Sequence, residues 1–188
     1  SEAQKVINDP YDFHDRTTRS QILYYTDKGF NDFSYLQDIK YLSYDKYGNA
    51  LEQTSDSYTT LTPVEDKLID HKRIVNTYDP DNKIAWLKGS ATTTEVFRYV
   101  SFEETNANLI EKTVTTTDQF DNRGNAVKQT SCTYSLDSAN ALKLQKATTI
   151  ENIDIDNRGD AKTQHITVAQ AISTTDDTLT TVNYQVIT

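Results

Sequence analysis

The residues that could perform acid–base or nucleophilic chemistry are few and widely spaced. The three histidines are His14, His71 and His165, and no serine or threonine near them stands in a distinctive context. Catalysis of the triad type needs a nucleophile, a base and an orienting acid in mutual contact. Because the sequence indicates no such constellation, we expect these histidines to face solvent or the core. We predict no catalytic residue and no enzyme activity.

Carboxylates are more numerous, and two arrangements of them could do chemistry. The pair Glu103-Glu104 could serve glycoside hydrolysis, but adjacent residues of a strand point to opposite faces. The segment 154–160, Asp-Ile-Asp-Asn-Arg-Gly-Asp, gathers oxygen atoms as a calcium loop does. Arg158, however, stands where the EF-hand pattern requires Asp or Asn, and no glutamate follows at the required distance. The sequence therefore predicts no metal site and no cofactor.

Composition excludes several classes of function. The chain has 188 residues, with 28 acidic and 19 basic side chains, and 36% of its residues are hydrophobic. That fraction is below the usual value of roughly 45–50%, which predicts a folded chain with a thin core. The acid excess disfavours nucleic acid as a partner, and no apolar run approaches the roughly 18 residues of a membrane helix.

Two residue types that are rare or absent give further expectations. Cys132 is the only cysteine, so we expect no internal disulfide, and we expect Cys132 to be buried as a small hydrophobic residue. The absence of methionine, even at position 1, leads us to expect a processed mature chain or a piece of something longer.

One short pattern organises the chain: a large apolar residue, then Asp, then the rest of a tight turn. Five copies begin 33, 34, 42 and 35 residues apart, at Tyr11, Tyr44, Tyr78, Phe120 and Ile155. Asp at the first position of a type I turn accepts hydrogen bonds from the backbone ahead of it, and Gly or Asn at the fourth position tolerates a positive φ. Each copy is therefore predicted to reverse an antiparallel strand pair through a short loop with a bulge. The predicted turns are Asp45–Gly48, Asp79–Asn82, Asp121–Gly124 and Asp156–Gly159, with a weaker copy at 12–15.

The segments between these turns are rich in threonine, a β-branched residue that favours strands over helices. Each period has room for two strands of about 10–13 residues. We predict an all-β fold, an antiparallel hairpin repeat of long Thr-rich strands arranged as a meander, a sandwich or a β-ribbon array. Residues 1–188 are expected to form a single unit with about five hairpin repeats. A helix is expected, if anywhere, only at 138–146, and Trp86 is expected to pack in the core within a strand arm.

The motif Tyr-Asp-x-x-Gly-Asn at 44–49, followed by arms such as 50–54 and 126–130, resembles the YD repeats of RHS-type and other very large bacterial surface proteins. The resemblance implies an extracellular or cell-surface array of β-hairpins, and it implies no catalytic residue. The period is longer here than in the usual YD repeat, and Ile155 replaces the aromatic head of the last copy. A closed shell and a filament or stalk of the same repeats both fit this pattern.

The two ends of the chain are predicted to be edge strands. The first strand carries Val6 and Ile7, and the last carries Val182, Tyr184 and Val186 with no turn after it. Unpaired strand edges template pairing with another chain, and strand donation is a known recognition mode. We predict a structural subunit or adhesin module of an extracellular filament, which polymerises head to tail through these strands. The alternative is a carbohydrate-binding β domain that stacks exposed tyrosines and Trp86 on a polysaccharide.

Overall fold

The protein is described by a computed structural model that covers residues 3–173 and 176–188. These residues form eleven β-strands and one short α-helix. The strands are β1 (Ala3–Asn8), β2 (Arg19–Tyr25), β3 (Phe33–Tyr44), β4 (Ala50–Tyr58), β5 (Leu68–Thr77), β6 (Thr93–Tyr99), β7 (Leu109–Phe120), β8 (Ala126–Leu136), β9 (Leu142–Ile155), β10 (Ala161–Ser173) and β11 (Asp176–Ile187). The helix α1 is Lys83–Leu87, and short 3-10 helices lie at Glu65–Lys67 and Asn106–Asn108.

Each strand is hydrogen-bonded to the next strand along the chain, in the order β1 to β11. This antiparallel meander confirms the predicted all-β hairpin-repeat fold and selects one of the three arrangements left open. No helix forms at 138–146, the one place where the sequence left room for a helix, because 137–141 form a turn and β9 begins at Leu142; the α-helix of the described residues is at Lys83–Leu87 instead. In the described part of the chain, no helix is long and apolar enough to cross a membrane.

Threonine supplies cross-strand pairs as well as local strand preference. Thr116 of β7 lies opposite Thr130 of β8, Thr130 lies opposite Thr149 of β9, and Thr149 lies opposite Thr167 of β10. Such directly opposed Thr pairs each stabilise a sheet by roughly 0.2–1 kcal/mol. The register of β7 to β10 is thus supported by a continuous row of β-branched side chains.

The chain divides into two compact units, the first formed by Ser1–Val75 and Phe97–Leu109 and the second by Asn76–Val96 and Ile110–Thr188. In the first unit, Leu36, Tyr58, Tyr25 and Tyr99 are buried. Four ionisable side chains are buried in the same unit, namely Asp38, Asp56, Asp70 and His71. Its core is therefore small and unusually rich in charge, since such residues are rarely buried unless they are paired.

The second unit has almost no core. Ala85 of α1 and Thr117 of β7 are buried, whereas every described side chain of β8, β9 and β10 is half-buried or exposed. Cys132 is half-buried rather than buried as expected, because it lies in β8, where neither face is covered. Both faces of this sheet are accessible to water, so the core, predicted from composition to be thin, is thinnest in the second unit.

Candidate functional site

The Asp-led turns share one hydrogen-bonding scheme. In each, Oδ1 of the first Asp accepts the backbone N–H groups two and four residues ahead, at 2.8–3.0 Å. The predicted turns that follow this scheme begin at Asp12, Asp45, Asp121 and Asp156. Their fourth residues have a positive φ: Asp15 59°, Gly48 88°, Gly124 78° and Gly159 95°. Four of the five predicted turns therefore form as the sequence indicates.

Hydrogen bonds hold these carboxylates in the ionised state. A side-chain hydrogen bond from Arg16 lowers the pKa of Asp12 to about 2. At Asp121 partial burial opposes ionisation, but donation by the backbone and side chain of Asn125 outweighs it, and the pKa is lowered to about 2. Asp12 and Asp121 are therefore charged over the whole physiological pH range, and hydrogen bonds from the turn backbone lower the pKa of Asp156 in the same way.

The turn at Asp79–Asn82 is the exception to the predicted hairpins. The N–H of Asn82 bonds the carbonyl of Asp79 at 3.2 Å, but Asn82 has a φ of −96° and its side chain caps α1 by accepting from Ala85 at 3.2 Å. The chain therefore continues into a helix instead of returning directly as a strand. Trp86 consequently lies half-buried in α1, and its expected place in a strand arm is wrong.

Within each unit, successive turns contact one another. In the second unit, Arg123 donates to the carbonyls of Ile155 at 2.7 Å and Asp156 at 2.6 Å in the next turn. In the first unit, Arg16 reaches the carbonyl of Asp45 at 3.4 Å. Gly124 packs so closely on α1 that an added Cβ would lie 2.9 Å from the backbone nitrogen of Ala85. These arginine contacts were not predicted from the sequence, although Arg123 and Arg158 occupy the same turn position.

The outer strand β11 is the most open element of the second unit. Its partner among the described strands is β10, and its residues from 178 to 188 are exposed except for the half-buried Leu179. The predicted assembly residues Val182, Tyr184 and Val186 are 55%, 58% and 50% exposed. Lys, Arg, Asp and Glu are all absent from 178–188. This edge therefore lacks the charged residues with which natural proteins usually protect an open strand.

The other outer strand, β1, is protected differently. It has six residues, pairs with β2, and carries Lys5 in its centre, with Pro10 shortly after its end. Val6 and Ile7 are 55% and 40% exposed, as expected for an edge. Short length, lysine and proline are the usual means of preventing edge-to-edge pairing. The two predicted assembly strands are thus both edges, but only β11 is long and has a charge-free stretch, residues 178–188.

A charged row crosses the buried face of the first unit. Asp38 lies opposite Asp56, and Asp56 lies opposite His71, on three neighbouring strands. His71 Nδ1 is 2.5 Å from Asp56 Oδ1, and His71 Nε2 is 3.3 Å from Glu104 Oε1 in the loop before β7. The hydrogen bond with Asp56 raises the pKa of His71, against the effect of burial, and Glu104 raises it further. Arg19 binds Asp38 through two hydrogen bonds of 2.7 and 3.0 Å.

This row has the composition of a catalytic dyad but not its surroundings. His71 is covered by Tyr99 and Phe102, whose ring centroids lie 6.0 and 5.6 Å from its own. Burial also raises the pKa of Tyr58, which neighbours the row, to about 12. Among the described residues, the structure places no three His, Cys, Asp or Glu side chains where they could hold a metal ion. The row stabilises the fold by pairing buried charges. Glu104, which the sequence offered only as half of an acid pair, contributes to this row through His71.

Several tyrosines of the first unit stack on another tyrosine, either across neighbouring strands or along one strand, rather than forming an open aromatic face. Tyr24 stacks on Tyr35 at 4.1 Å, and Tyr41 stacks on Tyr44 at 5.7 Å between ring centroids. An open groove between the first two turns is lined by exposed Tyr47 together with residues of both turns, and its volume is about 510 Å³. The other lining residues are His14, Arg16, Tyr44, Asp45, Lys46 and Gly48.

Comparison with known proteins gives no family. No protein-family model matches the chain, and no curated protein matches it. Among solved structures, it is similar to the crystal structure of a protein with unknown function from Bacteroides fragilis NCTC 9343. The two chains are 10% identical, the match covers 98% of this chain and 93% of that chain, and the TM-score is 0.40. A likeness of this strength assigns neither a function nor a partner to the chain.

Proposed function

We propose that this chain is a non-enzymatic structural or adhesin module of an extracellular or cell-surface assembly, built from YD-type turn repeats. Subunits associate by β-strand pairing at the open edges of the sheet. The observation that carries the proposal is the outer strand β11, which is long, uncharged from 178 to 188 and exposed on both faces. Two edges are open to another copy: pairing of β11 with β1 gives a head-to-tail filament, and pairing of β11 with β11 gives a two-fold dimer.

The physical reason is the row of backbone N–H and C=O groups along the free side of β11. A strand that pairs with this side would satisfy these groups and would also cover Val182, Tyr184 and Val186. Repeat arrays gain stability from contacts between neighbouring units, so an outermost strand benefits most from an added neighbour. The absence of charged residues from 178 to 188 means that no like-charge repulsion opposes a partner along this part of β11.

Sedimentation velocity over a range of protein concentrations tests this function. The wild-type chain should form species larger than the monomer as concentration rises, and Tyr184→Lys should remain monomeric. Leu42→Lys is the matched control, because Leu42 is 56% exposed but lies on the inner strand β3. This control should associate like the wild type. A wild-type chain that stays monomeric at every concentration would contradict the proposal, and so would equal loss of association in both variants.

The groove between the first two turns supports a second candidate function, the binding of carbohydrate. It presents Tyr47, 42% exposed, beside Arg16 and Lys46, which are groups suited to stacking on a sugar and donating to its hydroxyls. Titration with soluble cellulose and chitin oligosaccharides should then change tyrosine fluorescence in the wild type and not in Tyr47→Ala. Trp86, which the sequence suggested for stacking on a sugar, is half-buried in α1 and is not part of the groove. An unchanged signal in the wild type would reject this candidate.

A further inference from the structure

We propose that β11 pairs with β11 of a second copy of this chain, antiparallel and about a two-fold axis at Tyr184. This inference rests on the proposed function and names its partner. It makes the first association product a closed dimer. The interface is isologous, meaning that both copies contribute the same surface.

The sequence of the exposed edge is nearly its own mirror image. Residues 182–186 read Val-Asn-Tyr-Gln-Val. Antiparallel pairing centred on Tyr184 sets each tyrosine opposite its copy, each Asn183 opposite Gln185, and each Val182 opposite Val186. Apolar residues then face apolar residues on one side of the sheet, and amides face amides on the other. A strand whose residue types are symmetric about one position is complementary to itself in this orientation.

The register of β11 against β10 is compatible with this centre. Tyr184 lies opposite Thr167, and residues 183–187 pair with β10 one by one. The register shift between Val168 and Ala169 makes Val182 the extra residue of a bulge, at the end of this regular stretch. The symmetric centre therefore falls on regular strand, where a second ladder can form on the free side.

Charge and length favour β11 over β1 as the partner. The chain carries a formal net charge of −9, so two copies repel each other in general, and an edge free of charged residues minimises that repulsion. β1 has six residues, one of which is Lys5. Antiparallel pairing centred on Tyr184 sets residues 181–187 opposite residues 187–181 of the second copy, so a β11–β11 ladder has seven residues against at most six with β1, and none of the seven is charged.

Cysteine cross-linking tests the two-fold register directly. In a Cys132→Ser background, Tyr184→Cys places two thiols at directly opposed positions, where Cα atoms are about 4.5–5.5 Å apart and a disulfide can form. Val182→Cys alone places its two thiols four residues out of register, about 13 Å apart along the strands. With oxidised glutathione, Tyr184→Cys should form covalent dimers at least tenfold faster than Val182→Cys or Val186→Cys alone. An equimolar mixture of the last two variants should cross-link at about half the rate of Tyr184→Cys, because only mixed dimers, about half of the total, place the two thiols opposite each other.

The other possible results distinguish a failure of the β11–β11 partner from a failure of the proposed function. Leu42→Cys in the same background reports collisional cross-linking at an exposed position outside the edge. If the chain associates in sedimentation but Tyr184→Cys cross-links no faster than Leu42→Cys, strand pairing stands and the β11–β11 partner is rejected. Equal rates at positions 182, 184 and 186 would reject the fixed register. Polymers larger than a dimer that lack this cross-link would favour the head-to-tail filament, and a monomer in every assay would reject both proposals.

Discussion

Replacement of His71 by alanine should destabilise the first unit more than any other single histidine change. The side chain is 5% exposed and fills the space between Asp56 and Glu104. Its removal leaves the carboxylate of Asp56 buried, with Lys40 Nζ still 3.8 Å from Oδ2. Breaking a buried pair by deleting one partner costs about 3–5 kcal/mol, because the remaining charge is uncompensated.

The expected loss lies at the lower end of that range. Lys40 compensates part of the charge of Asp56, and Glu104 is one-third exposed, so its bond to His71 adds at most about 1 kcal/mol. We expect His71→Ala to lower the free energy of unfolding by about 3 kcal/mol. In a chain of this size, that corresponds to a decrease of about 6–12 °C in Tm.

The contribution of His71 should also depend on pH with a defined sign. The pKa of His71 is raised in the folded protein from its ordinary value of 6.5, first by the hydrogen bond with Asp56. The folded state therefore holds its proton more tightly than the unfolded state does. The resulting stabilisation is fully present below pH 6.5 and is lost as the pH rises from 6.5 through the raised pKa. The stability difference between wild type and His71→Ala should shrink accordingly.

Urea unfolding followed by circular dichroism at pH 6, 7, 8 and 9 measures both effects. His14→Ala is the control, because His14 is an exposed turn residue of the same unit and its removal should change stability by less than about 0.5 kcal/mol. The reasoning is refuted if His71→Ala costs no more than the control at pH 6. It is equally refuted if the difference grows as the pH is raised.

Other substitutions probe the turns and a buried hydroxyl. Gly124→Ala should destabilise by about 1–3 kcal/mol more than Gly48→Ala in thermal unfolding, because both need a positive φ but only Gly124 packs against a helix backbone. Arg123→Ala should cost about 1.5 kcal/mol in urea unfolding, since it removes two charge-assisted bonds to carbonyls, whereas Arg158→Ala, 82% exposed, should be within about 0.5 kcal/mol of the wild type. Thr92→Val should leave Tm unchanged or raise it, because the Thr92 hydroxyl is buried without a hydrogen-bond partner. Equal effects of the two glycine variants, or of the two arginine variants, would contradict the roles given to Gly124 and Arg123. A clear loss of stability in Thr92→Val would contradict the unpaired state of its hydroxyl.

The turns were predictable because their determinants are local. Asp45 and Gly48 specify the same four residues that form the turn, and no distant contact is needed. The same logic explains the turn at 137–141, where Asp137 caps the backbone and Asn140 has a φ of 58°. This turn lies midway between motif copies and is not among the five predicted turns, although it follows the same hydrogen-bonding scheme.

The charged row was not predictable from the sequence for the opposite reason. Asp56, His71 and Glu104 come from three separate segments, and their contact depends on the exact register of β4 with β5 and on the path of the loop before β7. A shift of one residue in that register would move His71 to the other face of the sheet. Alternation of apolar residues sets the register in most sheets, and it is incomplete in this chain.

An added strand should raise the stability of the second unit most when it pairs with β11, because of the position of β11 as well as its sequence. The inner strands β8, β9 and β10 have no buried side chain among the described residues, so each is held by its two neighbours through pairs such as Lys128 with Glu151 at 2.9 Å. In such a sheet, stability is approximately a sum of terms between neighbouring strands. β11 has one such neighbour and no covering layer, so it receives about half the stabilisation of an inner strand. A second copy of the chain that pairs with β11 converts it into an inner strand, and the same step covers the apolar side chains that it leaves open to water.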